Sequence, residues 1–344
     1  MRILMAMLLV MALATLAQAD GAGTSAAAYL RTGQGARPMG LGGAYCALAE
    51  GSHGMYWNPG GLGVTRQADA LFMYHSSFAD INNQFLAFAY PLGNDHGTIG
   101  AAATYVDYGD MDRYMLTGGT TYSAAGTFEA NDLAVALGYG GELAENVGAG
   151  VSLKYLRGKL ESENANAFAA DFGVMYASPA SPWRFGLALT NLGTKMKYIS
   201  KKDKLPLDIR GGGAYTLGSM GFVPGTLMLA CDVHKPVDND CGVNVGLEYQ
   251  PIAQLAFRVG YDSLQEAGNG LTLGAGFGIE QFAVDYAWVD GGALDDAHRV
   301  SLQLKFGGEK LLNTQLNPMA NGYVALAAQN LVHSLTNDGG GGTR

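Results

Sequence analysis

Asp107, Asp110 and Asp112 stand together in the run DYGDMD, a spacing that resembles part of a calcium-binding loop. Such a loop also needs a terminal Glu that binds through both oxygens, and none stands at that spacing. A solvated loop is the better reading. The stretch GLGGAYCALAEG (40–51) offers closely spaced glycines of the kind that cradle phosphate. It lacks the strand–turn–helix setting with a downstream acid, and it has no Gly-Lys-Ser/Thr. The six histidines, His53, His75, His96, His234, His298 and His333, are scattered without metal-ligand spacing. No Gly-x-Ser-x-Gly elbow is present. The expectation is a chain that is not an enzyme and uses no metal or cofactor.

The remaining candidates are charges set at every second position of apolar segments. CGVNVGLEYQ places Val243, Val245, Leu247 and Tyr249 on one side, with Asn244, Gly246, Glu248 and Gln250 on the other. AQLAFRVGYD and HRVSLQLKF repeat the pattern and put Arg258 and Arg299 on the second side. NVGAGVSLKYLRG does the same with Lys154. Successive side chains of a strand point to opposite faces, so each segment is a strand with one apolar face.

About fourteen such segments follow one another, near 70–78, 83–91, 97–107, 131–140, 146–157, 166–177 and 183–191. They continue near 207–217, 225–235, 242–250, 254–262, 270–279, 281–289 and 298–306. Most are 9–11 residues long, the length of a tilted membrane strand. Their second face is rich in Gly, Ala and Ser, and aromatics such as Tyr105, Tyr139 and Tyr155 stand near their ends. Aromatics there suit an interfacial girdle. Turns after even-numbered segments are short, whereas 108–130 and 192–206 are long, the asymmetry of outer-membrane barrels. The expected fold is an all-β transmembrane antiparallel β-barrel of about fourteen strands. A soluble sandwich shares the alternation and stays the alternative.

Composition agrees with a barrel. Charged residues make up 15 % of the chain against roughly 25 % in soluble domains, and 51 of 344 residues are glycine. The net charge of −9 excludes a basic nucleic-acid surface. Residues 1–19 read as a cleaved export signal: a basic start, the apolar ILMAMLLVMALATL, then Ala17 and Ala19 before the cut. An uncleaved anchor is the alternative. Cys231 and Cys241 flank DVHKPVDND, where they either pair across a hairpin or stay free.

The stretch GTSAAAYLRTGQGARPMGLGGAYCALAEGSHGMYWNPGGLG resembles the N-terminal signature of the PorV/PorQ family of outer-membrane proteins. FADINNQFLAFAYPLG, AAATYVDYGDMDRY, NDLAVALGYG and HRVSLQLKFG fit the same family, so the resemblance spans about 23–307. More distantly the chain is similar to the fatty-acid transporter FadL and its aromatic-hydrocarbon relatives. The resemblance implies a fourteen-stranded barrel (67–306) with an N-terminal hatch (20–66) in its lumen; past the last strand, 307–344 reads as a periplasmic tail or, equally, as a disordered extension. It places the chain in the outer membrane of a Gram-negative-type bacterium, with outer-membrane lipids around it and the barrel-assembly machinery inserting it.

MYWNPGGLG would then end the hatch, with Trp57, Asn58, Pro59 and Gly60 as its turn. Pro59 fixes its own φ and pushes Asn58 out of helix. Relatives usually carry Asn-Pro-Ala, and Gly60 here would loosen the turn. A purely structural turn is equally open.

Function divides in two. The first reading is passive uptake of a hydrophobic or amphipathic small molecule, with Phe85, Lys154, Arg258 and Arg299 as lumen ligand candidates. A guanidinium can take a carboxylate head through two bonds, although these charges equally suit pairing within the lumen. The second is a PorV-type accessory, shuttle or anchor, of type IX secretion. It would bind an exported protein through the outer loops, with Tyr108, Met111 and Tyr114 as contacts.

Overall fold

A computed structural model describes residues 23–307 apart from 78–80, 94–95, 118, 120, 219–223 and 266. The signal at 1–19 and almost all of the tail lie outside the described residues.

Sixteen strands run in chain order among the described residues, beginning with β1 (Ala68–Ser76), β2 (Asn82–Pro91), β3 (Thr98–Thr117) and β4 (Thr121–Ala144). Next come β5 (Val147–Leu160), β6 (Glu163–Ala177) and β7 (Trp183–Gly193). The short β8 (Met196–Lys197) and β9 (Lys202–Asp203) pair with each other outside the wall. The wall resumes with β10 (Asp208–Leu217), β11 (Thr226–Pro236), β12 (Gly242–Ile252) and β13 (Leu255–Asp262). It ends with β14 (Leu271–Ile279), β15 (Phe282–Val289) and β16 (Ala297–Phe306). Fourteen of these strands form one closed antiparallel barrel, sealed where β1 pairs β16 from Ala68↔Phe306 to Ser76↔His298. Closure leaves no sheet edge in the wall, so the strand backbone is satisfied without water.

The outer face is apolar. Leu86, Leu137, Leu153 and Leu302 are 55, 67, 65 and 52 % exposed, and Phe72, Phe168, Phe257 and Phe277 stand out beside them. A belt of this kind on a soluble protein would far exceed the apolar patches such surfaces carry. It is the lipid-facing surface of a membrane barrel, which sets the sandwich alternative aside. None of the described helices is long and apolar enough to cross a membrane. The chain crosses with strands.

Each of the fourteen expected segments holds a wall strand. The exception to the expected layout is 108–130, read above as a loop. It is a β-hairpin, in which β3 and β4 stay paired from Asp110↔Glu129 to Thr117↔Thr121. A bulge between Asp107 and Asp110 marks where the ribbon leaves the wall, and Gly109 supplies its φ of 68°. Beyond the bulge both faces are largely exposed, so the sequence loses its apolar alternation while the backbone pairing continues. The 192–206 connection likewise holds structure: β7 extends to Gly193, and Met196 and Leu205 are buried against Tyr29 and Leu30.

The inward phase carries small residues because chain fills the lumen. Residues of the N-terminal segment, from Ala36 to Leu62, are almost all buried. A Cβ on Gly246 would sit 2.6 Å from the carbonyl oxygen of Leu41. One on Gly148 would meet Gly60 backbone oxygen at 2.5 Å. Larger residues there would push the segment off the wall.

Candidate functional site

The N-terminal segment has little regular structure: a helix at Ala36–Gly40 and 3-10 turns at Ala28–Arg31, Gly51–Met55 and Pro59–Val64. Its backbone polar groups therefore need other partners. Side chains pointing in from the wall supply them. Asp232 Oδ2 accepts from the N–H groups of Tyr45 and Cys46, both at 2.9 Å. Ser301 Oγ accepts from Ala36 N at 2.7 Å, and Thr272 Oγ1 from Gly42 N at 3.0 Å. Arg184 Nε donates to Ala47 O at 3.1 Å, and Asp69 accepts from Ser52 N at 2.9 Å.

The turn at MYWNPGGLG is built around Asn58. Its extended backbone (φ −165°, ψ 103°) ends one run, and Pro59 opens the next at a helix N1 position. Asn58 Oδ1 caps Gly60 N at 2.9 Å. Asn58 Nδ2 donates to Cys46 O at 2.9 Å and, across to the wall, to Val174 O at 3.1 Å. A Cβ on Gly60 would lie 2.7 Å from the Val174 backbone. Glycine at this position thus lets the turn seat against the wall, the reverse of the loosening expected from the sequence. Trp57 Nε1 donates to Gln34 O at 2.8 Å, and its ring packs edge-on against Tyr45 and Tyr56. Tyr56 Oη closes the knot by donating to Leu30 O at 2.7 Å.

The four lumen candidates are dispersed. Arg258 is held by Glu248 at 2.5 Å and Asp285 at 2.7 Å, and Glu248 also takes Arg37 through a two-bond fork. This cluster ties the segment to the wall. Lys154 pairs with Asp171 at 2.6 Å and donates to Asn191 Oδ1 at 2.9 Å. Arg299 Nη2 donates to Thr32 O at 3.0 Å, while Nε and Nη1 have no partner. Phe85 is buried among Met55, Leu62, Leu71 and Met73, with its ring 6.3 Å from that of Tyr56. Of the loop candidates, Tyr108 is half-buried and donates to Asp132 Oδ2 at 2.7 Å. Met111 is half-buried on the hairpin, and Tyr114 near its tip is 60 % exposed. Cys231 and Cys241 are free thiols.

Lys154 lines a cavity of about 290 Å³, whose wall does not include Phe85, Arg258 or Arg299. It lies at the end of the barrel away from the Ala68–Phe306 seam, between the segment and the starts or ends of β7, β10, β11, β12 and β13. Leu30, Met39, Tyr56 and Trp57 form its apolar side. Asp208, Arg210 and His234 form its polar side, within 3.2 to 3.4 Å of one another. Arg210 also lies over the Trp57 ring at 5.4 Å. Strand alternation alone puts Arg210 on the inward phase, whereas the sequence reads His234 only as one of six scattered histidines and does not single out Asp208. The strand phase holds the signal for His234, two residues past inward Asp232. The cross-strand pair Arg210↔His234 is visible in the register alone.

Among the described residues no group of three or more His, Cys, Asp or Glu side chains could hold a metal ion. No family model and no curated protein matches the chain. Solved structures do. The toluene transporter TbuX of Ralstonia pickettii is similar at 15 % identity and a TM-score of 0.52, over 80 % of this chain and 99 % of that one. The toluene transporter TodX of Pseudomonas putida is similar at 10 % identity and a TM-score of 0.54, over 79 % of this chain and 97 % of that one. At such identities the likeness is one of fold, that of a closed outer-membrane barrel, and it does not single out PorV/PorQ.

Proposed function

We propose that this chain is an outer-membrane channel for passive uptake of small hydrophobic or amphipathic molecules, with the N-terminal segment as its hatch. The observation that carries this reading is the lumen. It is filled by a segment of the same chain, yet keeps a cavity with one apolar and one polar side at the long-loop end. A structural plug alone has no need of such a space, whereas a ligand that is part greasy and part polar fits both sides. Uptake would run down the ligand's gradient. The two transporters with this fold support the reading by analogy. The secretion reading gains nothing from the comparisons, and Tyr108, one of its contacts, is engaged with Asp132.

The test is mass spectrometry of the protein purified in mild detergent from its native membrane. A co-purified hydrophobic small molecule is the expected result. A stoichiometric exported protein with no small molecule would overturn the proposal.

A further inference from the structure

The cavity's charges point to the polar end of the ligand it takes, an inference that rests on the uptake reading. Its three cations are all engaged. Arg31 pairs with Asp238 at 3.0 Å, and Lys154 with Asp171 at 2.6 Å. Arg210 faces Asp208 at 3.4 Å and Asp232 at 3.5 Å. Asp262, also on the wall, accepts from Leu264 N at 3.0 Å. The cavity wall itself carries three cations and two carboxylates, Asp208 and Asp262, and each cation is already matched by a carboxylate at or behind the wall.

The unsatisfied groups have the same sense. Asp208 Oδ1 and Asn244 Oδ1 have no hydrogen-bond partner. Asn244 cannot be turned round, because its Nδ2 is committed to Gly42 O. Both are acceptors, and a buried acceptor without a donor is costly. His234 Nε2, the third unpartnered atom here, serves as donor or acceptor according to its tautomer.

We infer that this cavity takes a small apolar molecule whose polar end donates hydrogen bonds, an alcohol, phenol or amine, and that it disfavours the matching carboxylate. A carboxylate would bring acceptors to acceptors, and its charge would enter a partly desolvated space whose cations are already paired. An O–H or N–H pairs with Asp208 Oδ1 or Asn244 Oδ1 while the body lies on Trp57 and Met39. At about 290 Å³ the space is at the lower end of the ~300–1,000 Å³ of ligand pockets, so it suits one ring or a short chain.

The test is a binding series on the full-length protein in detergent, with Trp183 and Trp288 changed to Phe so that Trp57 reports. The probes are toluene, benzyl alcohol, benzylamine and benzoate, compared at equal free concentration. Benzyl alcohol and benzylamine should bind at least about fivefold more tightly than toluene. Benzoate should bind about tenfold more weakly than benzyl alcohol. Asp262→Asn, at the cavity rim, should narrow that gap. Benzoate binding as tightly as benzyl alcohol or more so would overturn the inference and leave the uptake reading in place. No binding by any of the four would overturn both.

Discussion

Arg37 and Glu248 are joined by two parallel bonds, Nε to Oε2 at 2.9 Å and Nη2 to Oε1 at 2.8 Å, which link the N-terminal segment to β12. Glu248 also serves Arg258, so the two residues are not equivalent. Removing Arg37 leaves Glu248 one cation. Removing Glu248 leaves Arg37 without its carboxylate. Glu248→Leu should cost about 3–5 kcal/mol, and Arg37→Met about 1.5–3 kcal/mol, in detergent unfolding. Equal costs would mean that the Glu248–Arg258 bond adds nothing to the fork, and no cost for Arg37→Met would mean that the fork carries no weight.

Gly60 rests against Val174, where a Cβ would lie 2.7 Å from three backbone atoms of the wall. Backbone cannot yield as a flexible side chain does. Gly60→Ala should loosen the turn and destabilise the protein by about 1–3 kcal/mol, the usual cost of overpacking. Gly218→Ala, with open space around it, is the control and should change nothing measurable.

Cys46 reports directly on whether the segment stays in the lumen. It is fully buried, and burial pushes its thiol well above the ordinary range, whereas Cys241 is exposed. A polar maleimide should label Cys241 quickly and Cys46 only after denaturation. Labelling of both at one rate would place the segment outside the barrel.

His53 makes the segment sensitive to acid. Burial and the nearby Arg37 push its imidazole down to about 3, so the folded form keeps it neutral. The unfolded side chain titrates near 6.5. The stabilising contribution is therefore present above pH ~6.5 and is lost as pH falls toward 3. At pH ~4.5 the loss approaches roughly 2–3 kcal/mol. Hydrogen exchange of residues 50–64, corrected for intrinsic rate, should show protection falling over this window. His53→Gln should flatten the dependence.

Strand positions were legible because lipid outside and crowded chain inside impose opposite demands on alternate residues. That is why Leu153 and Lys154 could be assigned to faces correctly. The signal failed in the 108–130 hairpin, where Tyr114 and Tyr122 face water and no apolar side exists. The inward charges were equally legible, but their pairing was not. Arg258 and Lys154 look alike in sequence, and register alone sets Arg258 opposite Glu248 and leaves Lys154 on the cavity wall. Asp208 begins its strand, where phase is least certain, so its place beside Arg210 and His234 needed the fold.

Uptake itself is the most direct measurement: the initial rate at which a labelled one-ring aromatic alcohol enters cells with a lipopolysaccharide outer leaflet, with and without the chain. The account predicts a severalfold faster rate that depends on the gradient and persists after energy depletion. Equal rates with and without the chain, at confirmed levels of folded barrel, would contradict it.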